Sequence, residues 1–154
     1  MTKSRSRLTV VASLPTPTLQ NLLYQASREA VAELGRVVST KCMPVASWRV
    51  LEVLADEHGR TMSALAAQTG MLMPATSKLV DRMIEAALIQ RSIDPEDNRR
   101  VMLHISDFGL AQVAALKDAL EARRQALQTL MKPAREQQLR TLLLEFIRIQ
   151  QSTR

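Results

Sequence analysis

Asp94, Glu96, Asp97, Arg99 and Arg100 crowd into one short segment, Asp-Pro-Glu-Asp-Asn-Arg-Arg. Carboxylates this close suggest either oxygen ligands for a hard cation or an acid–base pair. A calcium loop needs a mid-loop glycine and a terminal bidentate glutamate, and the segment has neither. The two carboxylates of a glycosidase stand across a cleft, not on one turn. Elsewhere, His58, His104 and Cys42 offer too few ligands for a zinc site. No nucleophile has an evident base, and no glycine-rich phosphate loop is present. The sequence therefore predicts no metal, no cofactor and no enzyme. What remains for the segment is a charged loop that touches a partner.

The elements around that loop show how it is held. Leu19, Leu22, Leu23, Ala26, Ala30, Leu34, Val37 and Val38 recur at helical spacing, with Thr18 as N-cap and an end near Thr40. Pro44 opens a second helix whose inner face carries Val45, Trp48, Leu51, Leu54 and Ala55, and His58-Gly59 stops it. Ser63 is the expected N-cap of a short helix ended by Gly70. After a tight turn, Pro74 begins another, with Thr76, Leu79, Val80 and Met83 inside and Ser77, Lys78, Asp81, Arg82 and Glu85 outside. Two helices about a tight turn form a helix-turn-helix. Residues 88–93 read as a strand, and Val101, Leu103 and Ile105 alternate with Met102 and His104 as a half-buried strand does. The acidic segment joins these strands, so the hairpin is a wing. Ser106 starts a further helix with Asp107 in its first turn, and Pro133 ends or restarts it. Leu139, Leu142, Leu143, Phe146 and Ile147 form the last apolar face.

Composition agrees with a mainly helical fold. The 154 residues suit one domain, and 46% are hydrophobic but only 3% aromatic, so Leu, Val, Ile, Met and Ala must build the core. The net charge of +6 and pI near 10.2 suggest an anionic partner, most commonly nucleic acid. The charge does not mark a site, however. Between residues 60 and 104, Arg60, Lys78, Arg82, Arg91, Arg99 and Arg100 are nearly balanced by Asp81, Glu85, Asp94, Glu96 and Asp97. The excess lies in Lys3, Arg5 and Arg7 and in the last helices. Residues 1–17 read as a flexible basic arm rather than a targeting segment, because Thr9 and Ser13 break its apolar part. A single cysteine cannot form an internal disulfide and no apolar run spans a membrane, so a cytoplasmic protein is expected.

This order of elements resembles the MarR family of winged helix-turn-helix transcription regulators. The string SWRVLEVLAD is similar to the family's second helix, LVDRM to its Leu-Val-Asp-Arg-Leu core, and DPEDNRRVMLHISDFG to its wing and the helix start that follows. The similarity runs roughly from Thr18 to Gln150. Ala87 stands where the family usually has glycine, Ile105-Ser106 replaces a common Leu-Thr, and the basic cluster that some members carry near the start of the recognition helix is missing. The implied fold is mainly α with a small β-hairpin wing. A winged helix-turn-helix at 44–105 is flanked by dimerisation helices at 18–43 and 106–150, all within one domain.

The resemblance implies a homodimer that binds double-stranded DNA at a pseudo-palindromic operator, by default as a repressor. Pro74, Ala75, Ser77 and Lys78 are placed to meet base edges, with Arg82 one turn further on for phosphate or for pairing with Asp81 or Glu85. Ser63 joins them as a DNA-facing residue of the preceding helix. Arg99 would reach the minor groove with Asp97 holding its guanidinium, and Arg91 and Arg100 would add phosphate contacts. The family often binds small aromatic anions between its helical base and winged domain. Tyr24, Arg28, Trp48 and Arg49 are the candidates for such an effector site, although each is individually explained by packing or surface pairing. Cys42 does not match the family's oxidant-sensing position near the start of the first helix and reads as structural or incidental. The alternative is a helical protein-interaction module of winged-helix shape that binds no DNA.

Overall fold

The computed structural model describes residues 16–152, so Lys3, Arg5 and Arg7 of the expected arm lie outside the described residues. Thr18 caps α1 (Leu19–Val38), its hydroxyl accepting from the Asn21 amide at 3.3 Å. A 3-10 turn at Ser39–Lys41 leads to α2 (Val45–Leu54), and α3 (Met62–Thr69) and α4 (Met73–Glu85) form the helix-turn-helix. The hairpin pairs β1 (Ile89–Ile93) antiparallel to β2 (Val101–Ile105), from Ile89 opposite Ile105 to Ile93 opposite Val101. Two long helices follow, α5 (Asp107–Leu130) and α6 (Pro133–Ser152). The fold is mainly helical with a two-stranded wing, as the sequence implies.

Arg60 extends the hairpin sideways. Its amide and carbonyl bond with the carbonyl and amide of Leu103 at 2.9 and 2.8 Å, a single bridge on the open edge of β2. Below the sheet, Val38, Leu51, Leu54, Leu65, Val80, Met83, Leu103 and Leu116 close one buried core. It draws on every helix from α1 to α5, and this shared packing fixes the wing relative to α4. The inner face expected for α4 is the buried one: Thr76, Leu79, Val80 and Met83. The Thr76 hydroxyl is satisfied by the Leu72 carbonyl at 3.0 Å.

Two helix ends differ from expectation. The N-cap of α3 is Thr61, whose hydroxyl accepts from the Ala64 amide at 3.2 Å. Ser63 lies inside the first turn, because the bridge at Arg60 ends the extended backbone two residues earlier than expected. Helix α2 stops at Leu54, before His58-Gly59. Glu57 there takes a left-handed φ of 63° and Gly59 one of 67°. A side chain on Gly59 would also meet the His104 ring, 2.4 Å from its Cε1. Pro44 is the N-cap of α2 rather than a residue of its first turn.

Candidate nucleic-acid interface

Helix α4 presents its outer face from its first turn. Pro74 there donates no backbone hydrogen bond, where none is needed, and presets the helical φ. Pro74, Ala75, Lys78, Asp81, Arg82 and Glu85 are exposed, and Ser77 is half-buried at the edge of that face. Ser63 is exposed on the first turn of α3, its hydroxyl 3.2 Å from that of Thr61.

The cations of this region fall into two groups. Arg91 on β1 is tied to Asp81 of α4, Nη2 to Oδ1 at 2.6 Å. That pair links the wing to the recognition helix and leaves Arg91 with a bracing contact. Arg60 is likewise engaged by Asp56 at 2.5 Å and Gln68 at 3.1 Å, and the guanidinium holds the Asp56 carboxyl below its ordinary range. Lys78, Arg82 and Arg99, by contrast, have no carboxylate within ion-pair distance among the described residues. Arg82 pairs with neither Asp81 nor Glu85; its Nε donates to the Lys78 carbonyl at 3.3 Å. Arg100 has only a long 3.8 Å approach to Asp94.

The wing tip explains the acids. Asp94 Oδ1 accepts from the Glu96 amide at 3.0 Å, and Asp97 Oδ1 accepts from the Arg99 amide at 3.1 Å. Each is an aspartate closing a turn onto the backbone two residues on. The Asp94 amide to the Arg100 carbonyl at 2.9 Å, and the Arg100 amide to the Asp97 carbonyl at 2.8 Å, finish the loop. Asp97 therefore fixes Arg99 through its backbone rather than through its guanidinium, which corrects the expectation. Among the described residues no cluster of three or more His, Cys, Asp or Glu side chains could hold a metal ion.

Sequence reasoning passed over two neighbours of this face. Leu72 is 79% exposed and Met73 is exposed beside it, at the start of α4. Large apolar side chains there suit contact with thymine methyl groups. The available signal was their position: two apolar residues in a turn, outside the inner-face periodicity.

Tyr24, Arg28, Trp48 and Arg49 do not converge. Tyr24 is 63% exposed on α1, and the Arg28 guanidinium lies 6.0 Å from its ring centroid. Trp48 is buried in the core, and Arg49 donates to the Thr69 carbonyl, bracing α2 against the end of α3. A cavity of about 410 Å³ opens elsewhere, between the 3-10 turn, α2, α4 and the start of α5. Met43, Leu79, Met83 and Phe108 form its apolar wall, and Lys41, Ser47, Arg82 and Gln112 its polar groups. Cys42 sits at its rim with a left-handed φ of 54°.

Comparison with known proteins comes to the same architecture. A family model described as MarR family matches residues 43–100. The HTH-type transcriptional regulator FarR of Neisseria gonorrhoeae is 23% identical over 128 residues, covering 83% of this chain and 88% of that protein. A relative from Thauera aromatica is 29% identical over 84 residues, and the match covers 54% of this chain and only 51% of that longer protein. Among solved structures, the repressor CouR bound to a 23-mer DNA duplex superposes with a TM-score of 0.74 at 24% identity, over 84% of this chain and 92% of that one. NadR in complex with 4-hydroxyphenylacetate gives a TM-score of 0.77 at 20% identity, over 89% and 100%.

Proposed function

We propose that the chain, whose residues 43–100 match a MarR family model, is a member of that family of winged helix-turn-helix transcription regulators and represses transcription as a ligand-responsive homodimer on a pseudo-palindromic operator. One observation carries the DNA reading: Lys78, Arg82 and Arg99, without an ion pair among the described residues, stand on the outer face of α4 and on the wing, while Arg60 and Arg91 are engaged in bracing. In this reading the start of α4 enters the major groove, Lys78 takes a base edge or phosphate, and Arg99 enters the adjacent minor groove. Two-fold symmetry sets the second α4 about 34 Å away, one helical turn along the duplex. CouR, which shares the fold, has been solved on DNA.

NadR, with the same fold, has been solved with a small aromatic acid. Here the effector belongs in the 410 Å³ cavity rather than at Tyr24, Arg28, Trp48 and Arg49. A ligand wedged between α2, α4 and α5 favours an α4 spacing that no longer matches the two half-sites, and the repressor leaves the operator.

Fluorescence anisotropy with a labelled duplex from upstream of the coding region tests the DNA reading. Specific binding is expected, with log affinity falling linearly as log salt rises. No binding at low salt overturns it and favours a protein-interaction module.

A further inference from the structure

Helix α4 begins on a leucine where a capping residue is favoured. Thr18, Thr61 and Ser106 cap α1, α3 and α5 with their hydroxyls, but the N-cap of α4 is Leu72, which makes no side-chain hydrogen bond there. Leucine at this position forgoes the stabilisation that Ser, Thr, Asp or Asn would give. It gains no burial in exchange, since Leu72 is 79% exposed and Met73 beside it 47%. Neither is part of the buried core. The backbone beneath them is nevertheless held, because the Leu72 carbonyl accepts from the Thr76 amide at 2.9 Å and the Thr76 hydroxyl at 3.0 Å. Pro74 and Ala75 follow and are exposed too. Leu72 to Ala75 carry no charge and, apart from the weak thioether acceptor of Met73, no hydrogen-bonding side chain. The other exposed large apolar side chains lie on α1, α5, α6 and the wing, so this pair is a patch of its own.

We infer that Leu72 and Met73 are specificity-determining residues that read the 5-methyl groups of thymines in each operator half-site. The inference rests on the DNA-facing reading of α4 and adds to it the base that the leading turn selects. A recognition helix meets base edges with its N-terminal residues. In the major groove every base edge offers donors or acceptors, and thymine alone adds a methyl group. A turn of Leu, Met, Pro and Ala cannot pair with those donors and acceptors, and pressing it against them would strip their water without replacing it. Against a thymine methyl it buries apolar surface on both sides. The patch is continuous with the cationic face. Lys78 lies one turn beyond Pro74, and Arg82 one turn beyond Lys78, where they take phosphate or a base edge. No acidic residue stands in the first turn to repel the duplex. That continuity favours DNA over a protein partner as the occupant, and it leaves hydrogen-bonded readout on α4 to Ser77 and Lys78.

The test uses the whole chain and two labelled duplexes of the region upstream of its coding sequence, one natural and one with deoxyuridine in place of every thymidine. Uracil keeps the hydrogen-bonding groups of thymine and lacks only the methyl. Burying one methyl contributes about fourfold, so losing one in each half-site should weaken the parent by about fifteenfold. The slope of log affinity against log salt should be the same on both duplexes, since no charge is removed. Leu72→Ser combined with Met73→Ala should bind the two duplexes equally. The serine also supplies the missing cap, so this variant should melt no lower than the parent. Met73→Ala alone, which keeps the native start of the helix, should retain only about fourfold discrimination. Equal binding of both duplexes by the parent overturns the inference and leaves the DNA reading standing. Variants that discriminate as strongly as the parent also overturn it, because the methyl groups are then read elsewhere. A parent that binds neither duplex at low salt overturns the DNA reading and the inference with it, and the patch then passes to a protein partner.

Discussion

Asp97 reaches Arg99 through the backbone, and that changes what a substitution at either position should do. The carboxylate closes a turn onto the Arg99 amide at 3.1 Å. An asparagine carbonyl oxygen closes the same turn, whereas alanine cannot. Asp97→Asn should therefore bind operator much as the parent does, and Asp97→Ala should lose about 1 kcal/mol, roughly fivefold in affinity, as the tip loosens. Equal losses in both variants would show that the charge itself is what matters. Arg99→Ala removes the guanidinium that the wing presents, and its expected cost is about 1–3 kcal/mol of operator affinity. Because Arg99 is exposed and, among the described residues, bonded only through its main chain, the variant's melting temperature should match the parent's. An Arg99→Ala protein with parental affinity would remove the wing from the interface. These roles show where residue-scale reading of the sequence stops. Spacing identifies an Asp two positions before an Arg, but it cannot say whether the oxygen meets the main chain or the side chain.

The elements end in ways the sequence only half displays. Helix α3 closes with the Met71 amide on the Ala66 carbonyl at 3.1 Å and the Gly70 amide on the Ala67 carbonyl at 3.3 Å, with Gly70 left-handed. The same pair of bonds recurs after α4, Leu88 to Met83 and Ala87 to Ile84, both at 2.9 Å, and Ala87 takes a φ of 57°. It recurs once more at the 3-10 turn, where Cys42 holds the left-handed position. The glycine made the first of these ends readable. The other two were hidden because a residue with a Cβ sits where glycine is favoured, and core packing overrides that local preference. The inner face of α4 and the alternation of β2 were legible because burial imposes their periods. The cavity was not, since its lining comes from three separated segments that only the tertiary fold brings together. Ala87 supports a direct prediction. A left-handed non-glycine residue costs about 1–2 kcal/mol, and the greater unfolded-state freedom of glycine offsets about 0.5–1 of that. Ala87→Gly should thus raise unfolding stability in urea by about 0.5–1 kcal/mol with the m-value unchanged. A less stable glycine variant would mean that the alanine methyl group makes a packing contribution larger than the strain.

At the scale of the whole molecule, the buried core takes Val38 from α1 and Leu116 from α5, and the long helices are otherwise left largely uncovered. No residue of α6 is buried. Leu139, Leu142, Leu143, Leu144 and Ile147 are exposed along it, and Leu130 at the end of α5 is 81% exposed. An open space of about 820 Å³ runs between α1, α5 and α6, lined by Leu23, Leu34, Leu127 and Leu143 among others. A contiguous apolar surface of this kind is unusual on a monomer and suits a second copy of the chain. Dimer formation would then couple surface burial to DNA binding, because each operator half-site gains from its tethered neighbour. Leu142→Asp places a charge on that surface without touching the single-chain core, so the helical circular dichroism of the winged domain should survive. On this reading the parent sediments as a dimer, and the variant should sediment as a monomer at the same concentrations. Operator affinity should fall by about 10²–10⁴, the advantage that two linked half-sites have over one. A Leu142→Asp protein that stays dimeric and keeps its operator affinity would move the pairing surface away from the middle of α6. One that becomes monomeric yet binds the full operator as tightly as the parent would instead remove the two-fold arrangement from the DNA reading.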